Sequence, residues 1–296
     1  MQLRAWRRAD GVDVTGYLDR LGLVGIDEPS AAALTEIHRA HVERIAYNTV
    51  DIHLGRATTV DPVESAQRLV THGRGGYCFH LNGALAALLD RLGFHVRMHR
   101  GGVWRQPDQP PLEPFANHLA LTVHDLPAPE NPTGVWFVDV GLGDALHEPV
   151  PLRSGTIRQH PFAYRLEASP LVPGGWRFRH DPAGSFPGMD FATEPASPAA
   201  FAGSHQHLST SAESGFVQRF SAVRRDRAGV DKLVGCTLHH VDASGRTETV
   251  LLNPSDWYGA LLDLFRIGMA DVDAEARAAL WRRTLTAHEA WERSQQ

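Results

Sequence analysis

The sequence lacks the features that would connect it to a membrane, to nucleic acid or to a disulfide framework. Its 296 residues include only two cysteines, and its formal charge of -5 at pH 7 comes without a basic cluster suited to phosphates. No stretch reaches 18 apolar residues, and residues 1–11 lack the apolar segment of a signal peptide. We therefore expect a cytoplasmic protein with no nucleic-acid or membrane partner, in a reducing compartment where a free thiol persists.

Several motifs of large enzyme classes are also missing. There is no Gly-x-Gly-x-x-Gly or Walker sequence, so a Rossmann or P-loop fold is not indicated, and no Gly-x-Ser-x-Gly elbow supplies a serine nucleophile. The 17 histidines suggest a metal, but no His-Glu-x-x-His or Cys-x-x-Cys spacing is present. His38 and His41 share the apolar face of one predicted helix, and we interpret them as core groups. We predict no metal and no permanently bound cofactor.

The distribution of patterns along the chain predicts an α+β fold in three domains. Helical periodicity fills residues 1–95, alternating patterns broken by glycine and proline fill residues 96–203, and a hairpin followed by helices fills residues 204–296. We expect a helical domain, then a β-rich domain built as an antiparallel sheet or small barrel, then a C-terminal α/β domain. The length of the chain is sufficient for this organisation.

Local signals place the helix boundaries in the first domain. Asp13 is in position to cap a helix that Gly22 ends, and Ser30 opens a second helix. Asp61 is followed by a proline at the first helical position and by Glu64 in the capping-box position, so a third helix begins there.

The later elements are predicted from alternation and turn residues. Val96 and Met98, followed by Val103 and Trp104, indicate a hairpin. Another hairpin is expected over residues 236–252 with its turn at residues 242–245, and helices are expected over residues 254–267 and 272 to about 291. Cys236 falls within a strand pattern and is assigned to packing.

Residues 74–83, with the sequence RGGYCFHLNG, contain the candidate nucleophile. Apolar residues recur with helical spacing from Leu81 to Leu92, so Cys78 lies at a helix N-terminus with no Ser, Thr, Asp or Asn before it as a cap. The helix dipole and free N–H groups favour an ionised sulfur at such a position. Taken alone, a small buried cysteine that serves packing is an equal alternative.

Two downstream strands supply a base and an acid for this thiol. His118 begins an alternating stretch, on the face opposite its leucines, and Asp139 lies inside an apolar strand that ends at two glycines. A lone buried Asp is costly, and pairing it with His118 removes that cost and fixes the imidazole tautomer. We therefore predict a triad of Cys78, His118 and Asp139.

These stretches resemble the arylamine N-acetyltransferase family. RGGYCFHLNG is similar to its Arg-Gly-Gly-x-Cys signature, and NHLALTVHD and WFVDVGLGD are similar to its histidine and aspartate strands. Residues 44–52 and 208–216 match two further family segments, so the likeness extends from about residue 12 to the C-terminus. The resemblance implies a cysteine protease-like core, an N-terminal helical bundle, a central β-barrel or sheet and a C-terminal lid. It also implies an acyl group held on Cys78, taken from a thioester, usually acetyl-CoA, and passed to an amine.

The family's motifs also imply the residues around the triad. Arg74 is the supporting arginine of the signature, and the substrate pocket would be formed by Tyr47, Phe79, Val103, Leu142 and Phe216. Backbone N–H groups near the start of the helix, including that of Cys78, would stabilise the oxyanion.

The chain departs from the family at three positions. His80 replaces the glutamate of the Cys-x-Glu signature, and Asn48 replaces the acid of the family's aromatic-Glu-Asn motif. Because both acids are gone, we expect the charge of Arg74 to be balanced differently, or by the thiolate and substrate. Leu142 replaces a phenylalanine, which removes a stacking partner worth roughly 0.5 to 1.5 kcal/mol for a flat arylamine.

These departures leave alternatives open. One is a biosynthetic amide synthase, a branch that takes a longer acyl chain from a carrier protein or CoA thioester in a natural-product pathway. A hydrolase would differ in that water resolves the acyl-enzyme. A catalytically inactive binding protein on the same scaffold would have an unreactive Cys78.

Overall fold

The fold is described from a computed structural model that covers residues 11–26, 28–106, 109 and 116–295. It combines helices with antiparallel sheets, as the predicted α+β class requires. The helices are α1 Val14–Leu21, α2 Ala31–Arg44, α3 Val50–His53, α4 Pro62–His72, α5 Cys78–Arg91, α6 Ala202–Thr210, α7 Gly215–Gln218, α8 Pro254–Asp263 and α9 Ala274–Ser294, with a 3₁₀ turn at Pro198–Phe201. The strands are β1 Tyr47–Asn48, β2 His95–Val103, β3 His118–His124, β4 Trp136–Val138, β5 Val150–Pro151, β6 Gly155–Gln159, β7 Phe162–Ala168, β8 Trp176–Arg179, β9 Gly188–Pro195, β10 Ser221–Arg225, β11 Val230–Val234, β12 Thr237–Asp242 and β13 Gly245–Val250.

The helix starts in the first part of the chain follow the predicted caps. The side chains of Asp13, Ser30 and Asp61 each accept a hydrogen bond from a first-turn N–H of α1, α2 and α4. Gly22 ends α1 in the left-handed conformation. The capping-box role of Glu64 is corrected, because its carboxylate accepts the hydroxyl of Thr59, while the Thr59 oxygen accepts the N–H of Asp61.

Two antiparallel sheets organise the strands. The eight-stranded sheet has the order β5-β4-β3-β2-β9-β8-β7-β6 and contains the strands between residues 95 and 195. The five-stranded sheet has the order β1-β10-β11-β12-β13, so a strand from the first part of the chain pairs with strands from the last part. The division into domains at residues 95 and 203 stays a prediction, since β1 takes part in a sheet beyond it.

The expected hairpin around Val103 is wrong. Residues 95–103 form one strand, β2, which pairs with β3 along its first seven residues and with β9 at its end. The glycines at 101 and 102 suggested a turn, but they allow a neighbouring strand to come close. A methyl group on Gly101 would lie 3.0 Å from the sulfur of Met189 on β9.

The last part of the chain contains the predicted hairpin as β12 and β13, followed by α8 and α9. Cys236 is fully buried and free, and burial, together with the charges of Glu292 and Glu289, raises the pKa of its thiol to about 11. Within the described residues, no helix has both the length and the apolar character needed to cross a membrane.

The main core lies between the helices and one face of the larger sheet. Apolar side chains of α1, α2, α4 and α5 pack together with Met98, Leu121 and Val138 from β2, β3 and β4. Helix α5 is buried along most of its length. The N-terminus of α5 is therefore held rigidly against the strands that contain His118 and lead to Asp139.

Candidate active site

The nucleophile loop places Cys78 at the first turn of α5, as predicted. Gly76 adopts a positive φ of 72°, and a methyl group there would lie 2.4 Å from Nδ1 of His80. A methyl group on Gly75 would lie 2.3 Å from Leu81. The two glycines are required because the loop passes directly against the helix that it precedes.

The structure brings the three predicted triad residues together. Nε2 of His118 lies 2.7 Å from Oδ2 of Asp139, and both side chains are almost fully buried. The thiol of Cys78 is close enough to the imidazole to contribute to the rise in its pKa, and both side chains line the same cleft. The sulfur lies 3.8 Å from the carbonyl oxygen of Asn117. The arrangement matches a nucleophile, a base and a group that orients the base.

The electrostatics of His118 are set by its partners. Burial by itself lowers its pKa, but the charge of Asp139, the hydrogen bond to it and the contact with Cys78 outweigh burial and raise the pKa to about 10. The imidazole is therefore protonated at neutral pH. A cation beside Cys78 favours an anionic sulfur.

Asn82 is a candidate site residue that the sequence analysis missed. Its Nδ2 donates to Oδ1 of Asp139 at 2.7 Å and to the carbonyl of Leu119 at 2.6 Å, while its Oδ1 accepts the N–H of Val140 at 2.9 Å. It lies one helical turn after Cys78 and so connects the nucleophile helix to both strands of the triad. The spacing of four residues from Cys78 was the available signal.

Gly141 lies between Asp139 and the backbone of Cys78. Its N–H donates to Oδ1 of Asp139 at 2.9 Å. A methyl group at this position would lie 2.7 Å from the Cα of Cys78. The glycine after the aspartate strand is therefore needed for the close approach of backbone to the nucleophile, as well as for the turn.

Arg74 is balanced by two carboxylates from distant parts of the chain. Its guanidinium donates to both oxygens of Asp271 at 2.7 and 2.6 Å, and its Nε lies 3.3 Å from Asp51. Arg74 is almost fully buried. The expectation that its charge might be left to the thiolate and substrate is corrected, since protein carboxylates neutralise it.

The two positions that lack the family's acids have structural partners. Nδ1 of His80 accepts the N–H of Tyr77 at 3.3 Å, which caps α5. Burial, followed by the charges of Arg68 and His205, holds the pKa of His80 well below its usual value. Asn48 donates to the carbonyl of Ala46 and accepts the N–H of Val50.

An open cleft of about 360 Å³ reaches Cys78 and His118. Four of the five predicted pocket residues line it, namely Tyr47, Val103, Leu142 and Phe216. The cleft is also lined by polar side chains that the sequence analysis did not single out, namely Arg105, Asp144, Ser185, Ser221 and Lys232.

The structure corrects the assignment of Phe79 to the pocket. Its side chain is fully buried and packs against Phe201 and Tyr77 in the main core. The residue after Cys78 is rotated by about 100° around the helix axis, so it turns away from the cleft. Among the residues that the structure describes, no cluster of three or more ligand-type side chains could hold a metal ion.

Comparisons with known proteins show which family the chain resembles. The sequence model of a family described as N-acetyltransferase matches residues 30–274. An arylamine N-acetyltransferase of Mycolicibacterium smegmatis is 32% identical over 284 residues, which cover 90% of this chain and 98% of that protein.

Solved structures extend the likeness to the fold. The arylamine N-acetyltransferase of Nocardia farcinica superposes with a TM-score of 0.82 at 26% identity, covering 97% of this chain and all of that one. The Mycobacterium marinum enzyme, solved in complex with CoA, superposes with a TM-score of 0.80 at 28% identity, covering 93% of this chain and 99% of the other.

The matching region includes the nucleophile loop and both strands of the triad, which places the protein among the N-acetyltransferases. The chain belongs to the arylamine N-acetyltransferase family.

Proposed function

We propose that this protein is a cysteine-dependent N-acyltransferase that moves an acetyl group from acetyl-CoA to an arylamine or related amine through an acyl-Cys78 intermediate. The observation on which this rests is the placement of Cys78 and His118 together in the wall of an open cleft, with Nε2 of His118 held 2.7 Å from Asp139. Membership of the family supports acetyl transfer, and the CoA complex of the M. marinum relative supports the donor.

In the first step the Cys78 thiolate attacks the thioester carbonyl. With a pKa of about 10, His118 begins this step as an imidazolium. The tetrahedral intermediate collapses by breaking the bond to the CoA sulfur, which takes the proton of His118 and leaves as CoA thiol. The products are acetyl-Cys78 and a neutral His118.

In the second step the acceptor amine attacks acetyl-Cys78. Neutral His118 accepts a proton from the amine as the new N–C bond forms, and the Cys78 sulfur leaves as a thiolate. The amide is released, and the thiolate–imidazolium pair is restored. The two half-reactions share one cleft, so CoA departs before the amine attacks.

The protein supplies the remaining elements of a cysteine protease-like core. The first-turn N–H groups of α5, including that of Cys78, stabilise the developing oxyanion in our proposal. Asn82 and Gly141 fix Asp139 by hydrogen bonds, and Asp139 fixes His118. Rigid positioning of this kind lowers the barrier because the reacting groups need no further ordering.

The test is intact-protein mass spectrometry after mixing with acetyl-CoA in the absence of an amine. We expect one added acetyl group on the wild type and none on Cys78→Ala. Cys236→Ala is the matched control, since it removes the other, fully buried cysteine and should retain the adduct.

Addition of an arylamine should discharge the adduct and yield the acetylated amine. Adducts only from longer acyl thioesters would point to the biosynthetic amide synthase, and discharge by water alone would point to a hydrolase. No adduct from any thioester would contradict the proposal.

A further inference from the structure

Lys232 is the only lysine in the chain; every other residue with a permanently cationic side chain is an arginine. It lies in the middle of β11, and its side chain lines the same cleft as Cys78 and His118. Within the described residues, its ammonium group has no hydrogen bond and no ion pair. Nothing in the mechanism above uses it.

The charges around Lys232 do not neutralise it locally. Burial lowers its pKa; the charge of Asp144 opposes that shift, whereas Arg246 and Arg219 add to it. The Asp144 carboxylate already accepts the N–H and hydroxyl of Ser185, at 2.7 and 2.9 Å, and lies 3.4 Å from Nε2 of His180. The carboxylate that acts on Lys232 is thus hydrogen-bonded to Ser185 and forms no ion pair with the ammonium.

Contacts along the floor of the cleft give the position of Lys232 relative to the nucleophile. A methyl group on Gly141 would lie 2.7 Å from Cys78, and one on Gly143 would lie 3.7 Å from Val223. Val223 is the direct cross-strand partner of Lys232. The two residue steps from Gly141 to Gly143 span at most about 7 Å. Lys232 is therefore connected to the start of α5 through Gly141, Gly143 and Val223, which all line the same cleft.

We propose that Lys232 binds an anionic group of a substrate whose reacting atom lies at Cys78. An unpaired, half-buried ammonium is stabilised when a ligand supplies the countercharge, and a carboxylate or phosphate does so with charge-assisted hydrogen bonds. The anion is either a carboxylate on the acceptor amine or a phosphate of the CoA donor. The inference rests on the acyl transfer proposed above and adds to it the class of substrate that the cleft prefers.

The first experiment tests whether the anion belongs to the acceptor amine. It measures kcat/KM for an aminobenzoate and for its uncharged methyl ester in the wild type, Lys232→Met and Lys232→Arg. If the anion is on the acceptor, the ratio of kcat/KM for the acid over the ester falls at least about 10-fold in Lys232→Met, mainly through KM, and recovers in part in Lys232→Arg. Arg165→Met, on an exposed residue outside the cleft, controls for net charge.

The second experiment tests whether the anion belongs to the acetyl donor. It compares the rate of acetyl-enzyme formation from acetyl-CoA with the rate from S-acetyl-N-acetylcysteamine, which has no phosphate. If the anion is a CoA phosphate, the preference for acetyl-CoA falls by a similar factor in Lys232→Met, and the acid-to-ester ratio stays constant. Arg105→Met tests the other cation of the cleft wall, which is exposed. A loss seen only in Arg105→Met overturns the assignment to Lys232.

A binding measurement avoids dependence on turnover. Reductive methylation with ¹³C-formaldehyde labels Lys232 and otherwise only the N-terminal amine, and Lys232→Arg identifies the signal. On a Cys78→Ala background we expect the Lys232 signal to shift with the aminobenzoate or with CoA, but not with the ester or N-acetylcysteamine.

No shift with any ligand and unchanged ratios in the first two experiments would overturn the proposal. The proposed acyl transfer fails separately, by the absence of acetyl-Cys78 in the wild type.

Discussion

Two buried histidines beside the nucleophile have opposite properties. His118 and His80 are 2% and 1% exposed, yet the pKa of His118 is raised to about 10 while that of His80 lies well below its usual value. Burial acts in the same direction on both. The difference is a carboxylate, since His118 has Asp139 at 2.7 Å, whereas His80 faces the N–H of Tyr77, the charge of Arg68 and His205.

The comparison shows how two buried imidazoles near the start of α5, His118 from β3 and His80 from α5 itself, acquire opposite pKa shifts. Among the described residues, no carboxylate contributes to the pKa of His80, and Arg68, whose charge acts on it, lies 3.6 Å from Asp51 and 3.5 Å from Glu64. His80 stays neutral and accepts a hydrogen bond as a cap. Asp139, in contrast, has no arginine partner in the part of the chain that the structure describes. It accepts hydrogen bonds from two neutral donors, Asn82 and Gly141, and its charge acts on His118.

The substitution expected to have the largest effect on the pKa difference between His118 and His80 is Asp139→Asn. Without the carboxylate charge, burial should bring the pKa of His118 below its ordinary value of 6.5, as it does for His80. Acetyl-enzyme formation should fall by about 10⁴-fold, as loss of an orienting carboxylate does in other triads. Single-turnover mass spectrometry measures the rate, and alkylation of Cys78 against pH follows the thiolate. The control is Asp125→Asn, which alters an exposed Asp–His pair. Wild-type rates in Asp139→Asn would contradict the triad.

Asn82→Ala should leave Asp139 less firmly held while keeping its negative charge. Asp139 keeps His118 and the N–H of Gly141 but loses the amide donor, so we expect kcat/KM to fall about 10- to 100-fold. The unsatisfied Val140 N–H and Leu119 carbonyl should lower the free energy of unfolding by about 1–3 kcal/mol. Urea unfolding and steady-state kinetics measure the two effects.

The matched control for Asn82 is Asn131→Ala. Asn131 is equally buried but holds the turn before β4, where it donates to the carbonyl of Val135. It should lose stability without the catalytic defect. An equal loss of activity in both variants would mean that Asn82 acts only through stability.

Asp271→Asn tests the charge balance around Arg74. Arg74 would keep only Asp51 at 3.3 Å, and a buried guanidinium would be partly uncompensated. Because Asp271 is 27% exposed, we expect a loss of only about 1–2 kcal/mol in the free energy of unfolding. Urea unfolding checks this, with the exposed Asp263→Asn as control. A change of less than 0.5 kcal/mol would show that Asp51 alone suffices.

His80→Gln should reduce the loss of stability in acid. The unfolded chain protonates His80 below its ordinary pKa of 6.5, while the folded protein holds it neutral, so stability falls as the pH drops through that value. The difference in slope should be up to about 1.4 kcal/mol per pH unit for one proton. Urea unfolding at pH 8, 6 and 5 measures it, with the exposed His207→Gln as control. Parallel curves for wild type and variant would show that His80 is protonated in the folded state.

The parts of this site that the sequence predicts are those with local causes. The caps Asp13, Ser30 and Asp61 act within three residues, and the helix that begins at Cys78 follows from its own apolar spacing. The pairing of His118 with Asp139 was predictable because a buried acid requires a partner.

The parts that escaped prediction depend on contacts between distant residues. Asp271 lies 197 positions from Arg74, and nothing near either residue marks the pair. Phe79 has the composition of a pocket residue, and only the rotation of α5 in the folded core decides its direction. The glycines at 101 and 102 read as a turn until β9, some 90 residues away, occupies the space beside them.

The two-residue strand β1 has a consequence for how the enzyme is made. The N–H of Asn48 donates to the carbonyl of Gly76 in the nucleophile loop, and the strand pairs on its other edge with β10. During synthesis from the N-terminus, the residues through Asp139 leave the ribosome well before β10 and Asp271 do. Until those later residues arrive, β1 lacks its sheet and Arg74 lacks one of its carboxylates. The cleft is lined by residues from both sides of this interval, among them Tyr47, Cys78 and Val223, so its walls come together only after β10 has been synthesised.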